Sequence, residues 1–320
     1  MNTFHPGEQS VQKRAGSFER MAQIGPHVIR GAMPEQHRRF FQQLPFIVIG
    51  AVDVFGQPWA SVLVGQGAGF LHALDETHLR IDAMPVAGDP LAELLEPGAD
   101  VGLLGIDLPT RRRNRLNGRV TTVNGRGLTV EVAQSFGNCP QYIQRRELLA
   151  PVAVSSGDSA PDEPVRHNRI DEAARQRIEG ADTFFVASHA PTQAPRGSAG
   201  DVPSFGSDVS HRGGLPGFVQ VSDDGRSLTW PDYSGNRFFN TLGNIAVQPR
   251  VGLVFPGFDD GSLLHVAGRA EVIWEGPELA RFEGAERLVR MQVDEVVARP
   301  AAMPWRWLLT EISPSFEAPA

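Results

Sequence analysis

The feature that most constrains this chain is an internal repeat. Val101-Gly102-Leu103-Leu104 is answered by Val251-Gly252-Leu253-Val254, and Leu116-Asn117-Gly118-Arg119 by Val266-Ala267-Gly268-Arg269. Residue 251 answers 101 and residue 268 answers 118, so the offset is 150 in both cases, with no gap between the matches. Two matches at one offset point to a structural unit present twice, one copy packed against the other. A chain of 320 residues is long enough for two units of ordinary size.

The pattern within each copy is that of short strands. In the first, a helix is predicted over 34–43, followed by strands at 46–54, 59–65, 78–81, 101–106, 119–123 and 128–132. Gly, Asn and Asp punctuate these runs. The segment 89–96 reads as the only helix among them. In the second copy a helix over 171–178 leads to strands at 183–188, 217–221 and 227–230, then a helix over 237–247. Strands at 250–255 and 263–273 follow, with a helical segment over 277–297 and a last strand over 305–312. Few helices among many short strands imply a mainly β fold, a barrel or a sandwich. Residues 1–33 read as an N-terminal arm with a short helix over 9–20. The first barrel covers 34–150, a Ser/Pro/acidic linker 151–166, and the second barrel 167–320. The Pro/Gly/Ser stretch 191–208 reads as a long loop inside the second unit.

Composition removes several functions. The formal net charge of −7 argues against a nucleic-acid binder. No apolar run reaches the roughly 18 residues of a membrane helix, and no secretory signal is visible. Cys139 is the single cysteine, which forbids an internal disulfide and suits a cytoplasmic protein. Lys13 is the single lysine, so Schiff-base chemistry has one poorly placed candidate. The nine histidines show no paired metal-ligand spacing, and no metal site is expected. The remaining positive charge is arginine, which grips phosphate with two prongs.

Two clusters in the second copy carry chemistry. In Asp208-Val209-Ser210-His211-Arg212-Gly213-Gly214, adjacent glycines beside Arg212 and Ser210 allow a flat ligand close to the backbone. In the stretch from Trp230 to Ile245, which includes Asp232, Tyr233-Ser234-Gly235-Asn236-Arg237, Asn240 and Thr241, Ser, Gly, Asn and Arg stand where the predicted helix begins, and free N–H groups there favour phosphate. Asp208, Ser210 and His211 do not make a hydrolytic triad, because neighbours on a strand point to opposite faces. The run Arg111-Arg112-Arg113-Asn114-Arg115 reads as a solvated loop, with docking of a nicotinamide dinucleotide phosphate as the alternative. Gly65-Gln66-Gly67-Ala68-Gly69-Phe70 lacks the last glycine of a dinucleotide loop and reads as a hairpin.

These residues resemble a family. Tyr233, Ser234, Asn236 and Arg237, followed by Gln248-Pro249-Arg250-Val251-Gly252-Leu253-Val254-Phe255, are similar to the FMN-binding segment of split barrel flavoproteins related to pyridoxamine 5′-phosphate oxidase. His211-Arg212-Gly213-Gly214 resembles their other binding segment. Asn138-Cys139-Pro140-Gln141-Tyr142 resembles a stretch that lies near the flavin, with Gln141 where Lys is usual. Phe4-His5-Pro6-Gly7-Glu8 and Arg14-Ala15-Gly16 look like tandem members.

The resemblance implies two tandem FMN-binding split barrels with FMN as cofactor. The site it implies comprises Ser210, His211, Arg212, Gly213, Tyr233, Ser234, Asn236 and Arg237, with Asn138, Cys139 and Tyr142. It implies an oxidoreductase whose flavin is reduced by NADH or NADPH and reoxidised by a small acceptor or oxygen. A homodimer is allowed. His211 is the first candidate acid or base. The alternative is a non-catalytic flavin or haem carrier or sensor, in which a histidine would be an axial ligand. Oxidation of pyridoxamine 5′-phosphate itself is not expected, since Glu311 stands where that enzyme has an arginine. The first copy lacks a phosphate grip: its matching segment, 83–95, holds no Arg or Lys but brings Asp89 and Glu93.

Overall fold

The computed structural model describes residues 3–65, 69–149, 163–191 and 204–316. The predicted linker falls almost wholly outside them, as do most of the 191–208 loop and the tip of the 65–70 hairpin.

The fold is mainly β. The first sheet contains β1 (Phe46–Val52), β2 (Pro58–Val64), β3 (Leu71–Ala73), β4 (His78–Ile81), β5 (Asp100–Asp107), β6 (Arg112–Asn124) and β7 (Gly127–Gly137). Its order is β2-β1-β5-β6-β7-β4-β3. After β8 (Arg145–Leu148) and β9 (Val165–His167), the second sheet contains β10 (Thr183–Ala190), β11 (Gly206–Gly213), β12 (Gln220–Val221), β13 (Ser227–Tyr233), β14 (Arg250–Pro256), β15 (Leu263–Ile273) and β16 (Ala285–Arg299). Its order is β11-β10-β14-β15-β16-β13-β12, the same path strand for strand, with β9 on the edge of β16. The last strand, β17 (Trp307–Glu311), pairs with β8 and so ties the end of the chain to the end of the first unit.

The registers repeat as well. Val101 pairs with Gly118 and Val251 with Gly268, and the next ladders, β6 with β7 and β15 with β16, both shift register at the matching place, between Asn117 and Gly118 and between Ala267 and Gly268. The repeated Gly102 and Gly252 lie where the sheets cross. A Cβ on Gly102 would sit 2.7 Å from the Asp208 backbone of β11, and one on Gly252 would sit 2.2 Å from the Pro58 carbonyl of β2. Each motif glycine therefore admits the backbone of the opposite unit. The seam is apolar: Val48, Ala60 and Leu104 of the first unit pack with Phe185, Ala187, Val209 and Val254 of the second, all fully buried or nearly so. Burial of each large side chain there contributes about 1.5–3 kcal/mol.

Several expectations are corrected. The N-terminus is not a free arm. It forms α1 (Pro6–Arg14) and α2 (Phe18–Val28), broken at Gly16 with φ +66°, and buries Phe4, Val11 and Met21. The predicted helix over 34–43 is α3 (Glu35–Gln42). Residues 89–96 form turns rather than a helix. Residues 277–297 are not helical. After a 3-10 turn (Pro277–Arg281), the chain runs as the 15-residue β16, paired to β15 on one side and to β13 and β9 on the other. Its Val289, Val293, Val296 and Val297 are stiff at χ1 and suit a strand. The Arg111–Arg115 run is not a solvated loop, since Arg112 onward is β6. The helix over 171–178 is α4 (Glu172–Gly180), capped by Asp171. The predicted helix over 237–247 is shorter, α5 (Asn240–Val247). No helix among the described residues is long and apolar enough to cross a membrane.

Candidate functional site

All the candidate residues from the sequence line one cleft between the two sheets. β11 contributes Ser210, His211, Arg212 and Gly213. The stretch from β13 to α5 contributes Asp232 to Arg237, with Phe239, Asn240 and Thr241. The turn after β7 contributes Asn138, Cys139 and Tyr142. β6 of the first sheet adds Arg113 and Arg115, and β16 adds Glu286 and Arg287.

The cleft is cationic. Arg212 and Arg287 share one carboxylate, Asp232, at 2.5 Å and 3.1 Å. Arg237 and Arg287 share Glu286, the first at 2.8 Å. Arg115 pairs with Asp208 at 2.9 Å and also donates to Asn240 Oδ1 at 2.8 Å and to Ser210 Oγ. Arg113 has no carboxylate partner among the described residues. Its Nε donates to the Cys139 carbonyl at 2.9 Å and its Nη1 to His211 Nδ1 at 3.0 Å. Burial, and then the charge of Arg115, bring Arg113 down to about 9, so it remains a cation at neutral pH. Asp208, Asp232 and Glu286 thus face Arg113, Arg115, Arg212, Arg237 and Arg287. Buried donor groups are left over: Arg115 Nε, Arg212 Nε and Asn138 Nδ2 have no hydrogen-bond partner among the described residues. Unsatisfied buried donors are costly unless something accepts from them.

His211 faces away from Ser210, as strand alternation requires. Its ring stands edge-on to Phe185 at 5.8 Å. An arginine can only donate, so Nδ1 is the acceptor and the ring hydrogen sits on Nε2. Burial, reinforced by Arg113, Arg212 and Arg146, holds its pKa well below the ordinary histidine value.

One wall is aromatic. Tyr142 and Tyr233, the only tyrosines in the chain, stand 5.1 Å apart with an interplanar angle of 31°. Phe316 packs on both, at 5.4 Å and 5.8 Å. Tyr142 adopts φ +68°, an uncommon conformation for a bulky residue, and its hydroxyl donates to the Ser234 carbonyl at 2.9 Å. Asn236 Nδ2 donates to Asn138 Oδ1 at 2.9 Å, which joins the turn after β7 to the loop after β13.

Two sequence readings change here. Gly213 and Gly214 do not open space for a ligand. A Cβ on Gly213 would lie 2.0 Å from the Tyr142 carbonyl and one on Gly214 2.1 Å from the Phe218 ring, so each admits another part of the chain. Ser234 and Arg237 also precede the helix rather than start it. α5 begins at Asn240, after Arg237 and Phe239, both with φ +61°. Sequence reasoning placed Asp232, Asn240 and Thr241 in its second cluster without giving them a role, read Arg113 and Arg115 as part of a loop, and missed Glu286 and Arg287. The alternation of Arg113 and Arg115 is a strand signal that could have placed both in the cleft. Arg287 was hidden in the segment read as helix.

Comparison with known proteins bears on the second unit. Residues 170–306 match the pyridoxamine 5′-phosphate oxidase family. The matched region contains β10 to β16 and α5, and hence the second unit's share of the cleft. No curated protein matches the chain. Among solved structures, a candidate pyridoxamine 5′-phosphate oxidase from Lactobacillus delbrueckii is similar at 18% identity and TM-score 0.30, over 41% of this chain and 94% of that one. HupZ of Group A Streptococcus is similar at 11% identity and TM-score 0.29, over 45% and 98%. The haem storage protein HutZ of Vibrio cholerae is similar at 12% identity and TM-score 0.27, over 41% and 95%.

Proposed function

We propose that the cleft binds FMN and that the protein is an FMN-dependent oxidoreductase. The observation that carries this reading is the excess of guanidinium over carboxylate in one cleft, with buried Arg115 and Arg212 donors left unpaired. A phosphate close to two negative charges is the counterpart such a site lacks, and each charge-assisted contact is worth about 1.5–3 kcal/mol. The family match over 170–306 supports a flavin as the phosphate's bearer.

Arg212, Arg237, Arg287 and Thr241 would hold the phosphate, and Tyr142 and Tyr233 offer flat faces to a planar ring. Bound FMN supplies reversible acceptance of a hydride, which the protein's own side chains do not. Arg113 keeps a fixed positive charge in the cleft, where negative charge is stabilised in low dielectric. His211 stays neutral and does not serve as an imidazolium acid near pH 7. NADH or NADPH as donor and a small acceptor or oxygen complete the reaction. The single cysteine suits a reducing compartment such as the cytoplasm.

Turnover of pyridoxamine 5′-phosphate is still not expected, but for a different reason. Glu311 does not line the cleft. It pairs with Arg111 at 3.0 Å and Arg145 at 2.8 Å, so it cannot repel a substrate there. What is missing is the arginine that the resemblance leads one to expect at this position. The test is the absorbance of the purified protein, followed by NADH or NADPH under argon. A flavin spectrum that bleaches supports the enzyme. A flavin that stays oxidised with both donors supports a carrier, and an intense Soret band in place of flavin replaces the reading with a haem protein.

A further inference from the structure

The motif Phe4-His5-Pro6-Gly7-Glu8 does not line the cleft, yet nearly every residue of it meets the α5 side of the site. Phe4 packs on Phe238 at 5.7 Å. His5 caps α1, accepting from Gly7 N at Nδ1, and its Nε2 donates to Asn244 Oδ1 at 2.9 Å. Gly7 allows the two helices to touch, since a Cβ there would lie 2.3 Å from the Gly243 carbonyl. Glu8 is 2% exposed. One of its oxygens accepts from the His5 backbone N–H at 2.8 Å and the other from Asn240 Nδ2 at 2.5 Å.

The Asn240 contact matters because an amide has two different ends. Asn240 uses its Nδ2 toward Glu8 and its Oδ1 toward Arg115 Nη1 at 2.8 Å. If Asn240 were rotated by half a turn, two donors would face one another at Arg115 and two acceptors at Glu8. Both Glu8 oxygens already accept, one from the His5 N–H and the other from Asn240 Nδ2, which disfavours that arrangement. We propose that Glu8 is a positioning residue for the cleft: it holds the Asn240 amide in the one orientation whose oxygen anchors the Arg115 guanidinium. The proposal rests on the reading of the cleft as an anion site. The charged or titratable groups facing Glu8 are His5 on its own cap, Asp208 on β11 and Arg115 on β6, while α5 presents the amide of Asn240. Burial, the largest influence, pushes the Glu8 carboxyl up to about 8, while the hydrogen bonds from the His5 backbone and the Asn240 amide act the other way.

The test is a double-mutant cycle in the full chain with Glu8→Ala, Asn240→Ala and both together, plus Glu8→Gln. FMN affinity is read by fluorescence quenching, inorganic phosphate by calorimetry, and folding by thermal melt. Glu8→Ala is expected to weaken FMN binding about tenfold, the worth of one such contact, while Glu8→Gln, whose oxygen still accepts from Asn240, stays within about threefold. In the Asn240→Ala background, Glu8→Ala is expected to cost nothing further, because the path to Arg115 is already cut. Should Glu8→Ala unfold, Glu8→Asp, which keeps a carboxyl but falls short of Asn240, takes its place in the cycle. Equal penalties in both backgrounds, wild-type affinity in Glu8→Ala, or a Glu8→Gln as weak as Glu8→Ala would overturn the proposal. A wild-type chain that binds phosphate but not FMN retires the FMN reading alone, and the cycle is then read on phosphate. Binding of neither probe overturns both.

Discussion

Ser210 on β11 and Ser61 on β2 stand at the same register of their sheets: Ser210 faces Val186 and Ser61 faces Ile49, and Val186 and Ile49 in turn face Leu253 and Leu103. Around Ser210 lies the arginine-rich cleft. Around Ser61 the same geometry is sealed. By register, Arg113 of β6 corresponds to Leu263 of β15, Arg115 to His265, His211 to Val62 and Arg212 to Leu63. Leu63 and Leu263 are 1% exposed, so arginine in the cleft becomes core in its counterpart. Ser61 donates to Asp89, Asp89 is ion-paired with Arg299, and His265 donates from Nδ1 to the Ala60 carbonyl at 2.9 Å. The lesson is that a repeated backbone offers two pockets and side chains decide which one stays open. Asp89, which the sequence set against a phosphate by its charge, fills the place together with Arg299.

The contrast can be broken from either side. Asp89→Asn removes the counter-charge of a buried arginine, and such losses cost about 3–5 kcal/mol. Urea unfolding is expected to show a loss of that order with FMN affinity per folded chain unchanged. A weakened FMN affinity would show that the counterpart is coupled to the cleft. On the other side, Arg212→Leu gives the cleft the residue its counterpart carries. Asp232 keeps Arg287 as a partner, so the fold should hold while FMN affinity falls about 10- to 100-fold, the worth of a charge-assisted contact. Fluorescence quenching measures it, and unchanged affinity would remove Arg212 from the site. Arg237→Ala should act more weakly. Its side chain is 35% exposed and already shared with Glu286, so a loss of about three- to tenfold is expected, with the melting temperature unchanged.

Much of the fold was legible because its signals are local. The 150-residue offset announced two units, and short β-branched runs bounded by Gly and Asn located most strands. β16 was misread because Glu, Arg and Met break its alternation, and what makes it a strand is pairing on both sides along its length. Much of the second unit's share of the cleft was legible too, since Ser210 to Gly213 and Tyr233 to Arg237 lie within two short segments. Arg113, Arg115 and Arg287 were not, because their place depends on how one sheet crosses the other. Gly213 and Gly214 were legible as special but not as to cause: the backbone of Tyr142, distant in the chain, and the ring of Phe218, four residues on, claim the space.

The comparison between cleft and counterpart predicts one FMN per chain. The direct measurement is FMN released by acid from protein reconstituted with excess cofactor and freed of unbound flavin, divided by protein from amino-acid analysis. A ratio near one agrees with a single open site lined by Arg212 and a counterpart closed by Asp89 and Arg299. A reproducible ratio near two would show that the sealed pocket opens and would contradict the account.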